Sequence, residues 1–201
     1  MAGMTLLARD PESDGALIAY AEDEALDGTA QIVCGPGEAA VVLVEGAPVL
    51  ELPPGRHALT PERHEALAAW LTGGDEAVEV AFLTTSALPF EASGELTHGA
   101  EGAAFTASGA LRVTGATAAI SLLDKLADDE SLEAWLEDEV AIHVTAALEA
   151  LADKPFVELV SGAWDVEVLA SATARANEVL NPCGVAVVSL DALSWTLDEE
   201  T

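Results

Sequence analysis

The chain has 201 residues, enough for one large domain that buries roughly 70% of the surface its unfolded form exposes. Thirty-six acidic residues against seven basic ones leave a formal charge of −29. That charge repels phosphate backbones and anionic lipid, so it excludes direct nucleic-acid binding or membrane-surface docking unless a partner supplies positive charge.

Residues 1–28 form an acidic N-terminal lead-in, with Glu22-Asp23-Glu24 near its end and room for a strand or a short helix. The lead-in has neither a basic start nor a long apolar run, so it does not read as a signal peptide. Residues 29–201 are expected to form the domain proper. Ala30 to Cys34, Glu38 to Val44 and Val49 to Leu52 are apolar runs separated by Gly35-Pro36-Gly37 and Glu45-Gly46, turn chemistry that predicts a three-strand meander. Pro53-Pro54-Gly55 closes it. Thr60-Pro61-Glu62 reads as a helix start, with Thr60 capping and Pro61 in the first turn, and that helix is predicted to run to Leu71. Alternation through Val78, Val80 and Phe82 predicts a strand over 76–85. Residues 86–102, rich in Gly, Ser and Glu, read as a loop or a weak hairpin, and Phe105 to Ile120 as one or two strands.

The second half changes period. Ser131 caps a predicted helix to Ala152, with Leu132, Trp135, Leu136, Val140, His143, Ala147 and Leu151 on one side and acids on the other. Phe156 to Val160 is a short strand or a helical turn. Val166, Leu169, Thr173, Ala176 and Leu180 make a second helical stripe, which Asn181-Pro182 ends. Val185 to Leu190, continued through Trp195, is a closing strand. Strands, then helices, then one strand predict an α+β fold: a mostly antiparallel sheet with two amphipathic helices packed on one face.

The search for chemistry is thin. The sequence has neither a phosphate-cradling Gly-x-x-x-x-Gly-Lys-Ser/Thr run nor a Gly-x-Ser-x-Gly elbow, and Pro36 removes a donor from the only Gly-rich turn that follows an early strand. Cys34 and Cys183 lie far apart, form no Cys-x-x-Cys pair, sit in apolar stretches and read as buried free thiols in a reducing compartment. None of His57, His64, His98 and His143 has another His at the i, i+4 spacing of a helical zinc motif. No cofactor, metal site or catalytic residue is expected, and the chain reads as a non-enzyme. Trp70 and Trp164 sit near predicted element ends, so they are the interface candidates, either as core residues or as contact anchors. The acids are spread along every segment. They read either as a solvated surface or as a surface steering a basic protein partner. No window holds the roughly 18 uninterrupted apolar residues a spanning helix needs, and a cytoplasmic location is expected.

The run Ile32-Val33-Cys34-Gly35-Pro36-Gly37-Glu38-Ala39-Ala40-Val41-Val42 resembles the opening of the stomatin/prohibitin/flotillin (SPFH, band 7) domain. Glu45-Gly46 followed by Pro54-Gly55-Arg56-His57-Ala58-Leu59-Thr60 is similar to that family's next signature. Leu111 to Gly115 with Ile120, and Leu180-Asn181-Pro182-Cys183-Gly184-Val185-Ala186-Val187, resemble the strand before its paired helices and its closing strand. The likeness covers 29–197 and is nearest to the soluble bacterial virion-core-like branch. It implies a small curved antiparallel sheet with helices against it, and lateral association into homo-oligomers. It implies no catalytic residues and no direct membrane insertion.

Overall fold

The computed structural model describes residues 5–13, 16–21, 29–72, 77–123, 125–126 and 131–197. The protein is α+β with mostly antiparallel open sheets. The chain divides into two compact units, Met1–Ser86 with Val113–Asp124, and Ala87–Arg112 with Lys125–Thr201.

The first unit holds two sheets. Strands β1 (Thr5–Ala8), β3 (Thr29–Cys34) and β6 (Gly55–Ala58) lie in the order β1-β3-β6, parallel between β1 and β3 and antiparallel between β3 and β6. Strands β2 (Ile18–Tyr20), β4 (Glu38–Val44), β5 (Ala47–Leu52) and β7 (Val78–Thr84) follow the order β2-β7-β4-β5, antiparallel throughout. Each strand turns alternate side chains to opposite faces. On one face Ala40, Val42, Val80 and Phe82 join Ile32, Cys34, Leu52, Leu59 and Leu67 in a single buried cluster. On the other, Glu51 stands opposite Val41, and its carboxylate accepts from the Thr117 N–H at 2.9 Å and the Thr117 hydroxyl at 2.6 Å. This bond caps a helix predicted as strand. Ile120 belongs to a helix, Ala116–Leu123, which packs against β4 and β5.

The predicted meander is therefore corrected in one respect. Only Glu45-Gly46, with φ of 52° and 76°, is a hairpin corner; positive φ at both residues suits the right-handed twist of the paired strands. Gly35-Pro36-Gly37 and Pro53-Pro54 instead carry the chain from one sheet to the other, so β3 and β6 pair with each other outside the β4–β5 hairpin. Gly37 has φ of 79°, and a Cβ there would lie 2.0 Å from the Ser86 hydroxyl, so both conformation and space demand glycine. The single sheet of the expectation is, among the described residues, three sheets. The predicted helix from Thr60 shrinks to a turn at 60–64, a 3-10 turn at Glu65–Leu67 and a one-turn α-helix, α1 (Ala68–Leu71). The Ala116–Leu123 helix is α2.

The second unit is a sheet in the order β10-β9-β8, with β8 (Leu88–His98), β9 (Glu101–Val113) and β10 (Val185–Leu197). The segment expected as a loop or weak hairpin is a regular one, antiparallel from Leu88↔Leu111 to His98↔Glu101 around Gly99-Ala100. Its buried side is Ala92, Leu96, Ala103, Phe105 and Ala107. The Phe105 ring lies over Gly94 opposite, where a Cβ would meet it at 2.6 Å. Small side chains on the strands leave room for helices above. α3 (Leu132–Glu149) packs against β8 and against α5 (Asp165–Leu180), and α5 packs against β10. Ser131 caps α3 as predicted, its hydroxyl accepting from the Ala134 N–H at 3.1 Å. α4 (Phe156–Val160) is the short turn expected there as strand or helix.

Candidate interaction surface

The second helical stripe is rotated from its expected setting. α5 buries Val168, Leu169, Ala172, Ala176 and Leu180. Two positions on an α-helix are roughly 200° apart, so burial of Val168 turns Val166 outward, and Val166 is 86% exposed. Ala170 and Ala174 follow at i+4 and i+8 and are also exposed. Together with Leu169 and with Leu190 of β10 they line an open groove of about 480 Å³ between helix and strand. Burial pushes the Asp165 carboxyl upward at the start of the same helix.

Beyond the groove, helix and strand are locked together. The Asn177 side-chain amide donates to the Val187 carbonyl at 2.9 Å, and its side-chain oxygen accepts from the Val187 N–H at 2.8 Å. One carboxamide thus satisfies both backbone groups of Val187, as a neighbouring strand would. Gly184, with φ of 76°, follows the Asn181–Cys183 turn and lets the chain reverse into β10.

Asp191 lines the groove and also an adjoining recess of about 600 Å³ whose walls include Phe90, Glu91, Ser108 and Glu137. The Asp191 carboxylate accepts from the Ser189 hydroxyl at 3.0 Å. Among the described residues neither Glu91, Glu137 nor Asp191 pairs with a cation, and no group of three or more His, Cys, Asp or Glu is placed to hold a metal ion. Gly109 faces this recess where the sheet is tight, since a Cβ there would lie 2.1 Å from the Ser189 carbonyl oxygen.

The two tryptophans proposed as contact anchors fall in different units. Trp70 is half-buried on α1 and packs against the first unit's core. Trp164 is half-buried just before α5, with Lys154 Nζ 5.1 Å from its ring centroid and its indole N–H buried without an acceptor among the described residues. Trp195 of β10 likewise buries an indole N–H that finds no acceptor among the described residues, and it meets Phe105 edge-on at 6.0 Å. Sequence reasoning put Val166 on the apolar stripe of its helix, where the structure exposes it, and did not single out Glu91 or Asp191. The signal available was that Val166 falls on the opposite side of the helix from Val168 and Ala172.

Of the two cysteines expected to be buried, Cys34 is, whereas Cys183 is only half-buried. The Cys34 thiol, 3% exposed, is pushed up to about 11 by burial and by the neighbouring Glu38 carboxylate. Little reactive thiolate exists there at neutral pH. The His143 ring nitrogen Nε2 meets Glu139 Oε1 at 3.2 Å along α3. Among the described residues no helix is long and apolar enough to cross a membrane. No family model matches the sequence, and no curated protein shows significant similarity to it.

Proposed function

We propose that the chain is a non-catalytic assembly domain of the SPFH type, cytoplasmic, working as an oligomeric scaffold with copies of itself. In this reading α3 and α5 correspond to the family's paired helices on one face of a curved sheet, and β10 to its closing strand. The observation that carries it is exposed apolar surface on a chain whose charge would otherwise favour acids there: Ile142 is 59% and Val157 68% exposed. Contiguous apolar surface left in water marks a contact site, and Ile142 shares an open recess on α3 with Ala141 and Ala146. With a charge of −29 per copy, association requires screening. Native mass by light scattering is therefore expected to rise with salt. A monomer at every salt and protein concentration ends the proposal.

A second reading, a binding module for a basic protein partner, is favoured by the recess at Glu91, Glu137 and Asp191, whose three carboxylates have no cation beside them among the described residues. Here the sign of the salt effect reverses, because charge steering across an interface weakens as ions are added.

A further inference from the structure

We propose that the α5–β10 groove and the acidic recess adjoining it at Asp191 together receive an extended peptide segment of a partner protein. The segment is apolar along the groove and carries an arginine or lysine at the Asp191 end. This rests on the partner-binding reading and names its site and the chemistry of its ligand.

The groove offers one wall of helix and one of strand. Val166, Ala170 and Ala174 rise along α5 without a charge among them, although Glu167, Arg175 and Glu178 of the same helix are exposed. Leu190 and Asp191 form the opposite wall. The Asn177–Val187 bonds close one end, because they use the strand's hydrogen-bonding groups where helix and strand meet. An extended chain beside a strand turns alternate side chains to one face, so every second residue could enter such a groove.

Charge selects the ligand's other end. Asp191 belongs to both cavities, so a side chain leaving the groove there meets Glu91 and Glu137 next. The three carboxylates are not grouped for a metal ion. They suit a spread cation with several donors, and guanidinium has five in a planar fork. A second copy is a poor source of that group: with seven basic residues against 36 acidic ones, a copy approaching the recess brings mostly like charge.

The test is fluorescence anisotropy of the full chain with a labelled heptapeptide of five alternating apolar residues ending in two arginines, beside a control ending in two glutamates. The arginine peptide is expected to bind saturably, more weakly as salt rises, and the glutamate peptide not to bind. Val166→Glu, an exposed site in a helix's first turn where an acid is well tolerated, is expected to weaken binding at least about tenfold, as loss of an apolar anchor does. Asp191→Asn with Glu137→Gln is expected to weaken it by about tenfold and to flatten its salt dependence. Binding that neither variant changes places the peptide elsewhere: it overturns the groove and leaves the partner reading standing. No saturable binding overturns both. Self-association abolished by Val166→Glu would assign the groove to a second copy and overturn the proposal.

Discussion

The two units are built on opposite economies of side chain. In the first, β4 and β7 bury Ala39 to Leu43 and Val80 to Leu83 without interruption, so both sheet faces are covered. In the second, the sheet's buried side is lined by Ala92, Ala103 and Ala107 beside Leu96 and Phe105, and the apolar bulk comes from α3 and α5. The exposed large apolar residues divide unevenly: Leu6, Tyr20 and Val49 in the first unit, and Ile142, Val157, Val166, Val179, Val188 and Leu197 in the second. A strand with two covered faces has little left to offer a partner. A helix covers one stripe and leaves the rest of its surface to be specified independently, which is why the contact surface argued above lies in the second unit.

The comparison is broken most forcefully at the two buried phenylalanines. Phe82→Ala and Phe105→Ala are each expected to cost about 3–5 kcal/mol in chemical denaturation, since Phe82 is 1% and Phe105 2% exposed. If the units are energetically distinct, only Phe105→Ala shifts the emission of Trp195, its edge-on neighbour. A smaller effect tests the first unit alone. The Cys34 thiol is raised from 9.0 to about 11 in the folded protein. Between those values the unfolded chain has lost the proton that the folded one keeps, so stability falls as pH rises through that window. Cys34→Ala is expected to flatten that part of the pH profile, and a profile of unchanged slope would refute the assignment. The smallest effect sharpens the second unit. Asn177→Ala leaves the Val187 N–H and carbonyl without their partner and is expected to cost about 1–3 kcal/mol, with faster hydrogen exchange at the Val187 amide.

What could be read from the sequence followed local chemistry. Ser131 before a 3.6-residue pattern located α3, and Glu45-Gly46 between apolar runs located a hairpin, because each signal lies within a few residues of what it specifies. What could not be read depended on distant partners. Ile120 looked like a strand residue because Thr117, whose N–H and hydroxyl receive the cap, takes it from Glu51, 66 positions away. The β8–β9 hairpin looked like loop because Gly94 and the alanines are weak strand formers alone; the ring of Phe105 over Gly94 supplies the missing side chain. Gly35-Pro36-Gly37 announced a turn, but turn chemistry does not say which sheet the chain enters next. Trp70 and Trp164 were visible as residue types but line neither groove nor recess, and the groove itself depends on the rotation of α5, which only packing against β10 decides. The acidic run Glu22-Asp23-Glu24 of the lead-in and the last residues of the expected domain, 198–201, lie outside the described residues.

The order in which the chain visits its two units has a practical result for anyone who wishes to dissect it. The polypeptide leaves the first unit after Ser86, builds the β8–β9 hairpin in the second, and returns for residues 113–124 before leaving again. A fragment ending at Ser86 lacks α2, stripping the cover from β5 and leaving the Glu51 carboxylate without the amide it holds. A fragment beginning at 125 lacks two of its three strands. No single cut separates the pieces intact; dissection calls for splicing, with the hairpin excised and its flanks rejoined.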